Sequence, residues 1–147
     1  MAEKRHIPES LRSQARERAK GRCEYCLIHE DDSLLPHEAD HIIAEKHGGL
    51  TILENLAWAC AICNRFKGTD LTSLDPDTGR LTPLYNPRKQ NWRRHFRLKG
   101  GRIESLTASG RATAQMLRFN ARQRVEERMA LISLRRYPRE DFPRQAQ

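Results

Sequence analysis

The chain has 147 residues, a net charge of +8 and 37% hydrophobic residues, with a mean hydropathy of −0.81, so it is long enough for one domain but thin in core-forming mass. No run approaches the ~20 apolar residues that span a bilayer, and Met1 to His6 lacks the apolar stretch of a signal peptide. Neither a membrane span nor secretion is expected, a cytoplasmic location is, and the basic excess favours a polyanionic partner, nucleic acid first.

Pro8 to Lys20 reads as a helix, with Ser10 as its cap, Leu11, Ala15 and Ala19 on one face and Gly21 as its stop. Cys23-Glu24-Tyr25-Cys26 follows as a tight turn, and Glu30 to Ser33 as a polar loop. His37 to Ala44 is a short strand containing Ile42-Ile43, Gly48-Gly49 is a turn or open loop, and Leu56-Ala57-Trp58-Ala59 suits a second strand. Ala61 to Lys67 looks helical and stops at Gly68, which places Cys60-Ala61-Ile62-Cys63 at a strand-to-helix junction.

Asp75-Pro76-Asp77-Thr78-Gly79, between Leu74 and Leu81, is a hairpin signal, and Lys99-Gly100-Gly101, between Phe96 and Ile103, is another. Ser109 to Phe119 and Ala121 to Arg135 read as amphipathic helices with Met116, Leu117, Val125, Met129 and Ile132 as their apolar positions. Pro138 onward reads as a loose tail. The expected fold is α+β: one domain over 1–147, with a core about 20–70, a hairpin and basic extension over 71–104, C-terminal helices over 105–136 and a tail over 137–147.

All four cysteines of the chain fall in the two Cys-x-x-Cys pairs. Zinc prefers tetrahedral thiolates, and closed four-cysteine sites are structural. Cys23, Cys26, Cys60 and Cys63 are therefore the expected ligands of one structural zinc. Two disulfides or a redox pair are the alternatives, but a redox Cys-x-x-Cys usually sits in a thioredoxin-like context, which is absent here. Four thiols becoming thiolates around one divalent ion subtract two charges, so the loaded chain stays basic, at about +6.

Between the pairs lie Asp40-His41 and Asn55, and Asn64 follows the last cysteine. Phosphodiester hydrolysis needs a base to activate water, a cation to stabilise charge on the phosphate and the leaving oxygen, and a group that orients the base. A histidine suits the first role, and a magnesium-like ion is held by few oxygen ligands. Each residue alone has a plainer reading: a local Asp-His hydrogen bond, a turn Asn55, a capping Asn64. An ideal strand also points Asp40 and His41 to opposite faces, so both reach one phosphate only with a local twist or bulge.

The run Asp40-His41-Ile42-Ile43, Gly48-Gly49, Glu54-Asn55-Leu56 and Cys60-Ala61-Ile62-Cys63-Asn64-Arg65-Phe66-Lys67-Gly68 resembles the HNH endonucleases of the ββα-metal class, most clearly over Arg22 to Gly68. The resemblance implies His41 as general base and Asn55 as the residue that holds the His41 loop. It implies Asp40 and Asn64 as ligands of a catalytic divalent ion, with DNA as the usual substrate. Where the family name expects a final histidine the chain has Asn64, whose oxygen favours Mg²⁺ or Mn²⁺ over zinc.

Arg65 and Lys67, beside Asn64, are expected to grip flanking phosphates. Arg88 to Arg102 holds seven Lys or Arg and no acid, interleaved with Trp92, His95 and Phe96, and offers Arg93 and Arg94 as backbone contacts. Trp92 and Phe96 fit stacking platforms and core residues equally well. The main alternative to a nuclease is a non-catalytic zinc module that binds nucleic acid.

Overall fold

The computed structural model describes residues 7–139. The expectations about the first six residues, and about the tail from 140 on, lie outside them.

Helix α1 (Glu9–Ala19) begins after Pro8, whose fixed φ of −55° serves as the N-cap; Ser10 lies inside the first turn and does not cap it. The helix stops where Lys20 and Gly21 turn left-handed. Its small residues Ala15 and Ala19 let it sit close against Leu56 and Trp58.

Strands β1 (Glu38–His41) and β2 (Leu56–Ala59) pair antiparallel, with Asp40 opposite Ala57 and His41 opposite Leu56. β2 is buried along its whole length, and helix α2 (Ala61–Lys67) follows it across Cys60. β1 is shorter than expected. Beyond Ile42 the ladder gives way to the side chain of Asn55, which takes both the N–H and the C=O of Ile43.

Two further hairpins form at the expected turns: β3 (Thr72–Leu74) with β4 (Leu81–Pro83), and β5 (Phe96–Lys99) with β6 (Arg102–Ser105). A short helix α3 (Trp92–His95) leads into β5. Trp92 and Phe96 take their core reading: both are buried, and Trp92 Nε1 donates to Tyr25 O at 2.8 Å. Among the described residues, no helix is long and apolar enough to cross a membrane.

Helix α4 (Ala108–Met116) is capped by Thr107, which accepts from the Gly110 amide at 3.0 Å. Helix α5 (Arg122–Ser133) departs from its expected face. Met129 and Ile132 are exposed, whereas Arg124 and Arg128 are buried. The cause is hydrogen bonding. The turn after α4 leaves carbonyls without helical partners, and the two guanidinium groups fill that need. Arg124 donates to Leu117 O at 2.7 Å, and Arg128 donates to Gly101 O at 2.7 Å and to Phe119 O.

Order continues past α5. Tyr137 is buried and its hydroxyl donates to Cys26 O at 2.7 Å, while Arg136 and Arg139 pair with Asp32 at 2.7 and 3.1 Å. The C-terminal segment is thus tied to the first cysteine turn.

Candidate active site and metal centre

The first cysteine pair sits in the turn after α1 and the second spans the start of α2. Backbone geometry already readies them for a metal: the Cys26 amide donates to Cys23 Sγ and the Cys63 amide to Cys60 Sγ, each at 3.4 Å. The four sulfurs are buried and lie within 4.8 Å of one another. Cys26 and Cys60 are 3.7 Å apart, close to the ~3.8 Å edge of a tetrahedron with ~2.3 Å zinc–sulfur bonds. All four thiols are free. The donor set fits zinc. Behind it stands Arg124, with Nη2 3.3 Å from Cys63 Sγ and 3.9 Å from Cys60 Sγ.

The second cluster forms where α2 lies against β1. Glu38 and Asp40 alternate onto one side of the strand, and Asn64 and Lys67 occupy one face of the helix three residues apart. Asn64 Nδ2 donates to Glu38 Oε2 at 2.6 Å, which sets the direction of the amide. Lys67 Nζ donates to Asp40 Oδ2 at 3.4 Å and to His41 O at 3.3 Å. Asp40 and Asn64, both buried, therefore share one interface.

His41 is the next residue of the strand, and its imidazole meets the loop that follows. Its Nε2 lies 2.9 Å from Thr51 Oγ1, and that hydroxyl donates onward to Glu45 Oε1 at 3.1 Å. With its one hydrogen committed to the carboxylate, Thr51 accepts from Nε2–H, which leaves the imidazole lone pair on Nδ1.

Asn55 fixes the loop between these groups. Its Oδ1 accepts from the Ile43 amide at 2.9 Å, and its Nδ2 donates to Ile43 O at 2.9 Å and to Leu50 O at 2.8 Å. Gly49 completes the clamp, because a Cβ there would stand 1.7 Å from Ile43 O.

The family model described as HNH endonuclease matches residues 23–70. This segment is an HNH domain. No curated protein and no solved structure matches the chain.

The HNH domain holds all four cysteines together with Asp40, His41, Asn55 and Asn64, and it points to nuclease chemistry on a nucleic acid. The residues expected at phosphates divide. Arg65 is exposed on α2, and Arg93 and Arg94 are exposed on α3. Lys67 is not on the surface at all: its side chain is 3% exposed and its ammonium is spent on Asp40 and the His41 carbonyl. That corrects its expected role as a phosphate grip.

Sequence reasoning missed several groups around the HNH domain. Glu38 and Thr51 carry no motif of their own. Arg118 comes from the turn after α4 and sets its guanidinium 4.4 Å from the centre of the Phe66 ring, with Arg65 at 6.0 Å. His37, just before β1, is buried with Nε2 3.0 Å from Ile28 O.

Proposed function

We propose that the chain is a metal-dependent HNH endonuclease that hydrolyses phosphodiester bonds, with DNA as substrate. The observation that carries this reading is the β1–α2 interface: Asp40 and Asn64 lie on facing elements of the matched segment, with His41 next in the strand.

In this reading His41 is the general base. The Thr51–Glu45 pair holds its ring, so Nδ1 is the atom that takes the proton of the attacking water. Asn55 keeps the loop after His41 from shifting, which matters because a misplacement of about 1 Å can cost 10²-fold in rate. Asp40 and Asn64 are the residues that would hold Mg²⁺ or Mn²⁺, and such an ion supplies charge neutralisation at the phosphate and the leaving oxygen. The cysteine quartet holds zinc and staples the small core. Arg65, Arg93 and Arg94 supply cationic contacts to the nucleic-acid backbone. Cysteines that hold a metal rather than form disulfides suit a reducing compartment such as the cytoplasm.

Supercoiled plasmid incubated with the protein and Mg²⁺ tests the activity. Nicked and linear products that vanish with chelator are expected. Tight binding with no cleavage under Mg²⁺ or Mn²⁺ would instead mark a non-catalytic zinc module.

A further inference from the structure

The buried face of α5 raises a question that nuclease chemistry does not answer: why a helix outside the matched segment sends a cation into the cysteine cluster. Arg124 is 9% exposed. Its Nη1 is anchored on Leu117 O at 2.7 Å, and its Nη2 reaches Cys63 Sγ at 3.3 Å and Cys60 Sγ at 3.9 Å. The two terminal nitrogens thus have different kinds of acceptor, Nη1 a helix-end carbonyl and Nη2 sulfur.

Four thiolates around a divalent ion carry a net charge of about −2. A buried anion of that size is costly unless donors or counter-charges face it. The two cysteine turns supply the amides of Cys26 and Cys63, which reach Cys23 and Cys60. Cys63 Sγ receives its short N–H contact from Arg124. An arginine guanidinium stays protonated in proteins, so Arg124 sets a cation against these sulfurs.

We propose that Arg124 is a positioning residue of the metal centre. Its guanidinium donates to the thiolates of Cys60 and Cys63, offsets part of the charge of the loaded site, and makes the docking of α5 depend on the metal. The proposal rests on the quartet holding zinc. By linkage, whatever the metal adds to the docking of α5, the docking of α5 adds to the affinity for the metal. The C-terminal helices are then part of the metal site.

The test uses the full chain as wild type, Arg124→Met, Arg124→Lys and Arg128→Met. Zinc content is measured first, then zinc transfer to a chromogenic chelator, then the thiolate-to-metal charge-transfer band of the Co²⁺-substituted protein. Arg124→Met is expected to release zinc at least about tenfold more readily, in the range seen when a group supporting a ligand is removed. It should also move the cobalt band to longer wavelength, because losing the N–H···S bond raises the energy of the sulfur lone pairs.

Arg124→Lys, which keeps the charge but loses the planar fork, should fall between Arg124→Met and wild type. Arg128→Met removes the neighbouring anchor of the same helix, which donates to the carbonyls of Gly101 and Phe119, and should leave the cobalt band in place. A helix-docking role alone would not move that band. A folded Arg124→Met with wild-type zinc release and an unshifted band overturns the proposal. Should Arg124→Met fail to fold, Arg124→Lys decides on the same two readouts. A wild-type chain that binds neither zinc nor cobalt would sink the zinc reading along with this inference. A wild type that binds zinc, with variants that match it, sinks this inference alone.

Discussion

The ammonium of Lys67 lies 3.4 Å from Oδ2 of Asp40, and the two side chains are 3% and 8% exposed. The same ammonium bonds the carbonyl of His41, so one buried cation ties α2 to both residues of the Asp-His pair. Removing it takes a buried cation away from that carboxylate, which costs up to about 3–5 kcal/mol. Lys67→Ala is expected to lose that much in chemical denaturation. Its cleavage rate should fall as well, since the strand end that carries His41 is no longer held.

Asn55 makes three hydrogen bonds to main chain on the loop after His41. Asn55→Ala strands two carbonyls and an amide, each costing about 1–3 kcal/mol where water cannot replace the partner. The rate of plasmid cleavage is expected to drop about 100-fold, while DNA affinity in a filter-binding assay stays near wild type. Equal losses in both would mean that Asn55 holds up the fold rather than the base.

Gly49 and Gly48 separate close packing from backbone freedom. A Cβ on Gly49 meets main-chain atoms of Ile43 at 1.7 and 2.6 Å, so Gly49→Ala must displace the loop that Asn55 clamps. Gly48 has φ near +88° and open space around its Cα, so Gly48→Ala pays only the left-handed strain, about 1–2 kcal/mol. The first variant is expected to lose cleavage and the second to keep it. The comparison is read from nicking rates on folded proteins.

The ββα frame was legible in the sequence because its markers are local. The two Cys-x-x-Cys turns, Gly68 after the helix and the short apolar run Leu56 to Ala59 each act within a few residues. Lys67 was misread beside exposed Arg65, although its three-residue spacing from Asn64 signals a shared face. The burial of Arg124 and Arg128 had no such signal. Their acceptors are Cys63 Sγ and the carbonyls of Gly101, Leu117 and Phe119, and those meet only in three dimensions. Trp92 and Phe96 were divided between stacking and core, and the Trp92 bond to Tyr25 O shows what decided for the core.

Asp75 links the β3–β4 hairpin to α4. Arg111 grips it with Nε and Nη2, each at 2.8 Å, and Thr78 donates to it at 3.0 Å. The Arg111 hydrogen bonds lead, burial opposes them, and the Asp77 amide and Thr78 hydroxyl add to the effect, so the carboxyl sits well below its ordinary range. A depressed folded pKa adds stability in full above the unfolded carboxyl value of about 3.9 and loses it as pH falls toward the folded value. Asp75→Asn is therefore expected to melt below wild type at pH 7, with the gap closing below pH ~4. A gap that is constant across a melting series from pH 7 to 3 would contradict the linkage.

The most direct test of the account is cleavage of plasmid DNA by His41→Ala under Mg²⁺, on protein shown to be folded and to carry the same zinc content as wild type. DNA binding is expected to survive and nicking to fall at least about 100-fold, the scale of a lost general base. Nicking by that protein at the wild-type rate would contradict the claim that this imidazole activates the water.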